Sequence, residues 1–317
     1  MKHSSNIIPP FLVAGPAFVG LVRCDRDGGL VLHLIDQGRG PYYGITWDER
    51  RLFLLDRNHG RGELIRVVSP EVRSDCVVEI GKNIDAHQIL FHSGFIWVTA
   101  TRENALVRVD VDGITHSRMN WSDSDTDVNH INGISPRGRD GFWVSHDNKT
   151  GNVSEIVSLT IDGHVLYRYA MPSPHFGTHN IEQGLVVGSG STSVIWQFDP
   201  SASEYPVLWS QPGRFFRGLA FARISTSEQV VLIGTSPLLQ RSERTDPHTG
   251  SVFVCSREPF RALYRIDIPG IGQVHEVRTI GLTDSHNGIP CPDWLRDFDG
   301  GEKVILPTPT PLSELSD

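Results

Sequence analysis

The chain is poor in cysteine: its 317 residues include four, and no two of them form a CxxC pair. In a chain of this length, isolated thiols are typical of a reduced cytosolic protein rather than of a disulfide framework. An excess of basic residues is also missing, because the net charge is -8. This composition argues against a nucleic acid as the partner, and we expect a cytoplasmic protein.

Long apolar runs are missing as well. The stretch "IIPPFLVAGPAFVGLV" near the N-terminus is apolar, but it contains prolines and is too short to span a bilayer. No clear small-residue cleavage site follows it. We interpret it as a pair of strands and predict no membrane association.

Helical periodicity is almost absent, and short alternating runs take its place. Segments such as "FIWVTAT", "ALVRVDV" and "SVIWQFD" alternate apolar and polar residues, and glycine, aspartate, asparagine or proline separates them. This pattern predicts an all-β protein.

A phrase containing histidine or glycine recurs along the chain, as in "DAHQIL", "HINGIS", "GTHNIE" and "DSHNGI". Repeats of about 40–50 residues with four short strands are the signature of β-propeller blades. The anchors predict a six-bladed propeller, with five or seven blades as the alternative; a pair of β-sandwiches would give no reason for the repeat. The six anchors are Gly44, His87, His130, His179, Arg217 and His286.

Too little chain follows the last anchor to build a blade. The N-terminal segments "PFLVAGPAFVGLVRC" and "GLVLHLID" would supply the missing strands, so that N- and C-terminal strands mix in the closing blade. We expect one domain over residues 1–306. The proline-rich tail, residues 307–317, is predicted to be loosely ordered.

The anchors point to a metal centre. The innermost strands line the channel of a propeller, so equivalent anchor positions converge on the axis. Imidazole nitrogen suits Fe(II), which we favour, and also Mn, Cu, Zn or Ni. Asp85, Asp127 and Asp284 are placed to hold the rings. The predicted ligands are His87, His130, His179 and His286, with His175 in "SPHFGTHN" as a rival to His179.

A guanidinium replaces imidazole at the fifth anchor. Arg217 cannot bind a metal cation and is suited to clamp a carboxylate or phosphate of the substrate. Asn132 and Asn287, beside two of the histidine anchors, are predicted to contact the same substrate. We therefore expect an anionic small molecule as the partner, with Arg217, Asn132 and Asn287 as catalytic residues.

The middle half of the chain, from about His87 to Val254, resembles an uncharacterised bacterial propeller family. The phrases that carry the likeness are "HQILFHSGFIWVTATRENALVRVD", "HINGIS" and "RFFRGLAFA", in this order. The predicted site is also loosely similar to propeller enzymes with histidine-bound metals. Among these, carotenoid-cleaving dioxygenases carry Fe(II) and oligogalacturonate lyases use Mn, so the resemblance leaves the reaction open.

Three functions follow as hypotheses. The first is a metal-dependent oxidative enzyme, because a site of neutral nitrogen ligands suits redox chemistry. The second is a lyase or hydrolase that uses the same metal without redox change. The third is a propeller that binds a ligand or protein without catalysis.

Overall fold

Six antiparallel sheets form the blades of a β-propeller, as the sequence predicted. The structure is a computed structural model. It describes residues 8–57, 62–68, 76–81, 84–147, 149, 154–172, 177–189, 192–225, 228–239, 243, 248–281 and 288–312.

Within blades 1 to 5, strands that are consecutive in the sequence are also neighbours in the sheet. The N-terminal strands, which belong to the closing blade 6, are β1 (Phe11–Ala14), β2 (Phe18–Cys24) and β3 (Leu30–Gln37). Blades 1 to 5 are each built from four consecutive strands, running from the channel outward. Blade 1 contains β4 (Tyr42–Trp47), β5 (Leu52–Asp56), β6 (Gly62–Val67) and β7 (Cys76–Gly81); blade 2 contains β8 (Ile89–His92), β9 (Phe95–Ala100), β10 (Ala105–Val109) and β11 (Thr115–Asn120); blade 3 contains β12 (Ile131–Pro136), β13 (Gly141–His146), β14 (Glu155–Thr160) and β15 (Val165–Ala170); blade 4 contains β16 (Gly177–Glu182), β17 (Leu185–Ser189), β18 (Thr192–Gln197) and β19 (Val207–Pro212); blade 5 contains β20 (Arg214–Arg223), β21 (Gln229–Pro237), β22 (Gly250–Ser256) and β23 (Arg261–Ile268).

The ring closes by mixing the two ends of the chain, as predicted. Strand β24 (Glu276–Thr279) supplies the innermost strand of blade 6 and pairs with β1, and β25 (Lys303–Ile305) pairs with β3. Strand β26 (Thr310–Pro311) adds to the outer edge of blade 5, inside the segment predicted to be a loose tail. Mixing the two ends of the chain in one blade joins the ends of the ring, and the sheet edges that remain are short and protected.

Helix is scarce. A short 3-10 turn spans Thr101–Glu103, and the helix α1 spans Asp293–Arg296. No helix within the described ranges is long and apolar enough to cross a bilayer.

The apolar core lies between neighbouring blades. For example, Phe53 and Leu55 of blade 1 pack with Ile89 and Phe91 of blade 2 in one buried cluster. The innermost strands are buried on both faces, whereas outer strands such as β11 are mostly exposed. This gradient matches the sequence, because the first two strands of a blade are rich in apolar residues and the last is more polar. Burial of these faces is the main force that holds the blades in a ring.

A buried carboxylate interrupts this core in blade 1. Asp56 is fully buried, and neither of its oxygens accepts a hydrogen bond from the described residues. It pairs across the strands with Glu63. Burial, and then the facing Glu63 carboxylate, raise the pKa of Asp56 to about 6. Ionisation of this side chain above that pH therefore opposes folding.

Replacing Asp56 by asparagine is expected to stabilise the protein at pH 8. The folded-state pKa lies above the ordinary value of about 3.9, so the stability that protonated Asp56 provides is lost as the pH rises through about 6. Asp56→Asn should raise the free energy of unfolding by about 2–3 kcal/mol at pH 8 and by little at pH 4. Urea unfolding at both pH values measures this difference. An equal effect at the two pH values would contradict the assignment.

Candidate functional site

One residue of each blade enters the channel where the innermost strand begins. In blades 1, 3, 4 and 5 the strand pairing shifts register at this point, so that a residue bulges toward the axis. In blade 6 the residue directly before the strand takes the same place, and in blade 2 the residue two positions before the strand does. The six channel residues, in blade order, are Tyr43, His87, Asn132, His179, Arg217 and His275.

This ring differs from the predicted one at three blades, and in blade 1 the channel residue is Tyr43 rather than the neighbouring anchor Gly44. The innermost strand of blade 6 is β24, so His275 takes the place that was predicted for His286; His286 and its neighbour Asn287 lie outside the described residues. In blade 3 the bulged residue is Asn132, and His130 precedes it with a left-handed backbone, φ 42°. Asp85 has the same relation to His87, with φ 47°. Left-handed backbone at residues other than glycine is uncommon and clusters at functional sites.

Glycine follows the channel residue in every second blade. A Cβ on Gly133 would lie 2.1 Å from the carbonyl oxygen of His179, so a side chain cannot be accommodated there. The alternate blades carry Gln88, Asn180 and Glu276 at this position, and their side chains occupy the space. Gln88 Oε1 accepts the N–H of Ile134 at 2.7 Å, which ties blade 2 to blade 3. The inner strands are thereby held close together around the axis.

The channel opens on one face into a cavity of about 400 Å³. Arg57 and Lys149 reach it from the loops that join the second and third strands of their blades. These two loops therefore lie on the same face as the channel residues that line the cavity. The lining residues are Tyr43, Arg57, Asp85, His87, His130, Lys149, His179, Phe215, Arg217, Gln273 and His275.

The side chain of His87 is held by Arg217. Arg217 Nη2 lies 2.9 Å from His87 Nδ1, so this nitrogen accepts a hydrogen bond and the neutral ring carries its proton on Nε2. His87 Nε2 lies 3.7 Å from the carboxylate of Asp85, which in turn pairs with Arg57. Asn132 Oδ1 is also 2.9 Å from His87 Nδ1, and a half-turn of its amide would present N–H there instead.

Both imidazoles deep in the cavity are kept neutral. Burial, and then the charge of Arg217, lower the pKa of His87 to about 3, against the hydrogen bond to Asp85. Burial and then Arg217 also hold the pKa of His275 well below its usual range. His275 Nδ1 donates to the carbonyl oxygen of Tyr42 at 2.9 Å, which leaves Nε2 as an acceptor. The carboxyl of Asp85 has a pKa well below its usual range, because His87 and Arg57 outweigh the effect of burial.

Replacing Arg217 by glutamine is expected to raise the pKa of His87, because a neighbouring positive charge that disfavours the imidazolium is removed. An NMR titration of the imidazole protons in the wild type and the variant measures the change. A pKa that stays the same would show that the guanidinium does not contact this ring in solution.

His130 forms a second dyad at the cavity wall. Its Nδ1 lies 2.7 Å from Asp127 Oδ2, and Lys149 Nζ pairs with the same carboxylate. The sequence predicted that Asp127 would hold this ring, and the structure confirms it. Asp127 fixes the proton of the neutral ring on Nδ1, so Nε2 keeps its lone pair. The ring centroid of His130 is 5.0 Å from that of His87.

The guanidinium of Arg217 has no counter-ion among the described residues. Its side chain is 7% exposed, and no carboxylate of the described residues lies within ion-pair distance of it. Its other contact is with the ring of Tyr43, whose centroid is 5.1 Å away. A buried guanidinium without an anion is costly unless a ligand completes it.

A buried ionic cluster closes the channel below the cavity. Arg278 Nη2 is 3.0 Å from Glu276 Oε2 and Nη1 is 3.8 Å from Glu182 Oε2, while Gln88 Nε2 donates to Glu276 Oε2 at 2.8 Å. Arg278 also donates to the backbone oxygens of Ile45 and Leu219. The cluster therefore connects strands of five blades across the axis.

Two of the predicted ligand side chains have ring nitrogens that are engaged with other groups. His87 Nδ1 faces a guanidinium, and His130 Nδ1 is held by Asp127. Among the residues that the structure describes, no three His, Cys, Asp or Glu side chains are grouped closely enough to hold an ion. Arg57 and Arg217 would also repel a dication. Metal binding by His87, His130, His179 and His286 stays a prediction.

Several cavity residues were not predicted from the sequence. Tyr43 was missed because the neighbouring Gly44 was taken as the anchor of blade 1. His275 was missed because its segment "QVHEVRT" lacks the asparagine or glycine of the repeated phrase. Gln273 carries no repeat signal at all. Its Nε2 is buried without a hydrogen-bond partner in the described part of the chain.

Comparison with known proteins supports the fold. No protein-family model and no curated protein matches the chain. A structure of a nidogen–laminin complex matches with a TM-score of 0.57 and 12% identity, over 86% of this chain and 98% of that chain. A protein of unknown function from Bacteroides caccae matches with a TM-score of 0.56 and 9% identity, over 86% and 98%.

A catalytically inactive virginiamycin B lyase from Staphylococcus aureus, solved with quinupristin, is less similar. Its TM-score is 0.45 and its identity 13%, over 74% of this chain and 93% of that chain. At these identities the comparisons show a β-propeller fold and nothing about the ligand or the reaction.

Proposed function

We propose that the cavity binds a small organic anion and that His130 removes a proton from it, as in a lyase. The observation that carries this proposal is Arg217, a buried guanidinium with no carboxylate partner among the described residues. An anion in the cavity would supply the missing charge and would be held by charge-assisted hydrogen bonds.

The base is His130. Asp127 holds its Nδ1, so Nε2 is the nitrogen that can accept a proton. In an elimination, Nε2 takes the proton from the carbon beside the carboxylate, the C–H electron pair becomes the new C=C bond, and the leaving group departs with its own bonding pair. Arg217 would stabilise the charge that develops on the carboxylate. No oxidant is required for this step.

Organic anions should raise the melting temperature of the protein. We expect stabilisation by carboxylates in a thermal-shift panel at constant ionic strength, with sodium chloride as the reference, because a ligand that binds only the folded state stabilises it. Arg217→Gln should abolish the shift. If no organic anion of the panel stabilises the wild type beyond the salt reference, the proposed function is wrong.

A metal-dependent enzyme, oxidative and with Fe(II) favoured, is the second candidate. Two observations favour this candidate. The imidazole of His87 is neutral, which is the state that binds metals, and its ring centroid lies 5.0 Å from that of His130. Metal analysis of the purified protein decides this candidate. A stoichiometry near one ion per chain that is lost in His130→Ala would support it, and a metal-free protein that still binds the anion would exclude it.

The resemblance to the uncharacterised bacterial propeller family and the cytoplasmic location stay predictions. The third hypothesis, a propeller that binds without catalysis, would hold if an anion binds and no turnover follows.

A further inference from the structure

The hydrogen-bond donors of Arg217 and Gln273 that are free in the described part of the chain indicate the shape of the acceptor group that a ligand would need. Arg217 uses one hydrogen bond, to His87 Nδ1, among the described residues. A guanidinium has five N–H donors in a planar fork, so two parallel donors remain for a planar acceptor. Gln273, which also lines the cavity, has a buried Nε2 without a partner in the described chain. Both observations point to a ligand with a carboxylate rather than a spherical anion.

The charges around the cavity define the charge of the ligand. Arg57, Lys149 and Arg217 are cations, and Asp85 and Asp127 are the carboxylates that pair with the first two. With the deep imidazoles of His87 and His275 neutral, Arg217 is the cation of this set that has no carboxylate partner among the described residues. One negative charge on the ligand neutralises the site, whereas a second would be buried without a cation.

The walls beside Arg217 are aromatic. The ring of Tyr43 lies against that of His275, with centroids 4.0 Å apart and planes 16° apart. The ring of Phe215 contacts that of His179, with centroids 5.2 Å apart. Flat, rigid rings are suited to pack against a planar ligand. The volume of about 400 Å³ is at the small end of the range for small-molecule sites.

We infer that the ligand of this cavity is a monocarboxylate with an aromatic or conjugated group beside the carboxylate. The inference rests on the proposed function and narrows its substrate class. The carboxylate would pair with Arg217 and Gln273, and the planar group would pack against the aromatic side chains of the cavity wall.

Four probes separate the properties that this inference combines. Isothermal titration calorimetry with cinnamate, succinate and phenyl phosphate compares an aromatic monocarboxylate, a dicarboxylate and an aromatic dianion. We expect cinnamate to bind at least about tenfold more tightly than the other two, since the loss of a charged hydrogen-bond pair or the burial of an extra charge costs about this much or more. Hexanoate, a flexible monocarboxylate, should bind more weakly than cinnamate.

Variants then assign the binding to these residues. Arg217→Gln should weaken cinnamate binding by about 10–100-fold, and Gln273→Leu by about 3–10-fold. The matched control is Arg261→Gln, which removes an exposed arginine from the outer strand of the same blade and should change nothing. Because Arg217→Gln removes a buried charge, it should not unfold the protein, and circular dichroism checks this.

Tighter binding of succinate or phenyl phosphate than of cinnamate would overturn the inference while leaving the binding of an organic anion intact. Equal affinities for hexanoate and cinnamate would overturn the aromatic part. Binding of cinnamate that is unchanged in Arg217→Gln would place the ligand elsewhere and overturn both the inference and the proposed site.

Discussion

Replacing Arg278 by methionine is expected to destabilise the protein by about 3–5 kcal/mol, because two buried carboxylates lose their cation. Arg278 is 1% exposed and contacts both Glu276 and Glu182 at the centre of the ring. Methionine fills a similar volume, so the loss in the free energy of unfolding reflects the removal of the charge and not the creation of a cavity. Urea unfolding at pH 8 measures the free energy.

The effect should depend on pH. Burial raises the pKa of Glu276 even in the presence of Arg278. Without the guanidinium this pKa rises further, and a group whose folded-state pKa is raised loses stability as the pH increases. Arg278→Met should therefore be less destabilising at pH 5 than at pH 8. Adding Glu276→Gln to Arg278→Met should recover part of the stability at pH 8.

An exposed ion pair provides the control. Arg168 Nη1 lies 3.0 Å from Glu155 Oε2 on the outer part of blade 3, with 44% of the arginine side chain exposed. Arg168→Met should cost less than about 1 kcal/mol. If Arg278→Met costs as little as Arg168→Met, the channel cluster does not hold the inner strands together.

The fold could be predicted from the sequence because its signals are local. Strand alternation, turn residues and the repeat at blade spacing each involve residues near one another in the chain, and together they gave the six blades. The mixed closing blade followed from a shortage of chain after the last repeat. Its innermost strand was misplaced, however, because "HEVRT" has glutamate where other blades have glycine, glutamine or asparagine.

The site could be predicted only in part, since its decisive contacts are long-range. Arg217 and His87 are 130 positions apart, and Gln88 and Glu276 are 188 apart. The sequence placed four histidines, an arginine and Asn132 near a common axis, but it could not show that the guanidinium would meet the imidazole of His87. That contact puts a guanidinium against one of the predicted metal ligands, whereas the anionic small molecule expected from Arg217 stays a prediction. The displacement of His130 from the bulge also depends on strand register, which the repeated phrase does not fix.

His130→Gln is expected to abolish turnover while leaving the anion bound. General base catalysis contributes about 10²–10⁴-fold to a rate. Asp127 holds the proton of His130 on Nδ1, so the lone pair of Nε2 can accept the substrate proton. A direct assay uses 3-hydroxy-3-phenylpropanoate, whose loss of water gives cinnamate and is followed by ultraviolet absorbance. In His130→Gln the rate should fall by this factor, while the dissociation constant for cinnamate changes by less than about threefold, since Arg217 and not His130 provides the charge for binding.

The chain contains a matched dyad for comparison. His116 Nε2 lies 2.9 Å from Asp110 Oδ2 on the exposed edge of blade 2, so His116→Gln removes an imidazole from a similar carboxylate outside the cavity. It should leave the rate unchanged. Asp127→Asn should reduce the rate, because the amide no longer fixes the proton on Nδ1. If His130→Gln retains the wild-type rate, proton removal belongs to another group, of which His275 is the nearest candidate because its Nε2 also keeps a lone pair.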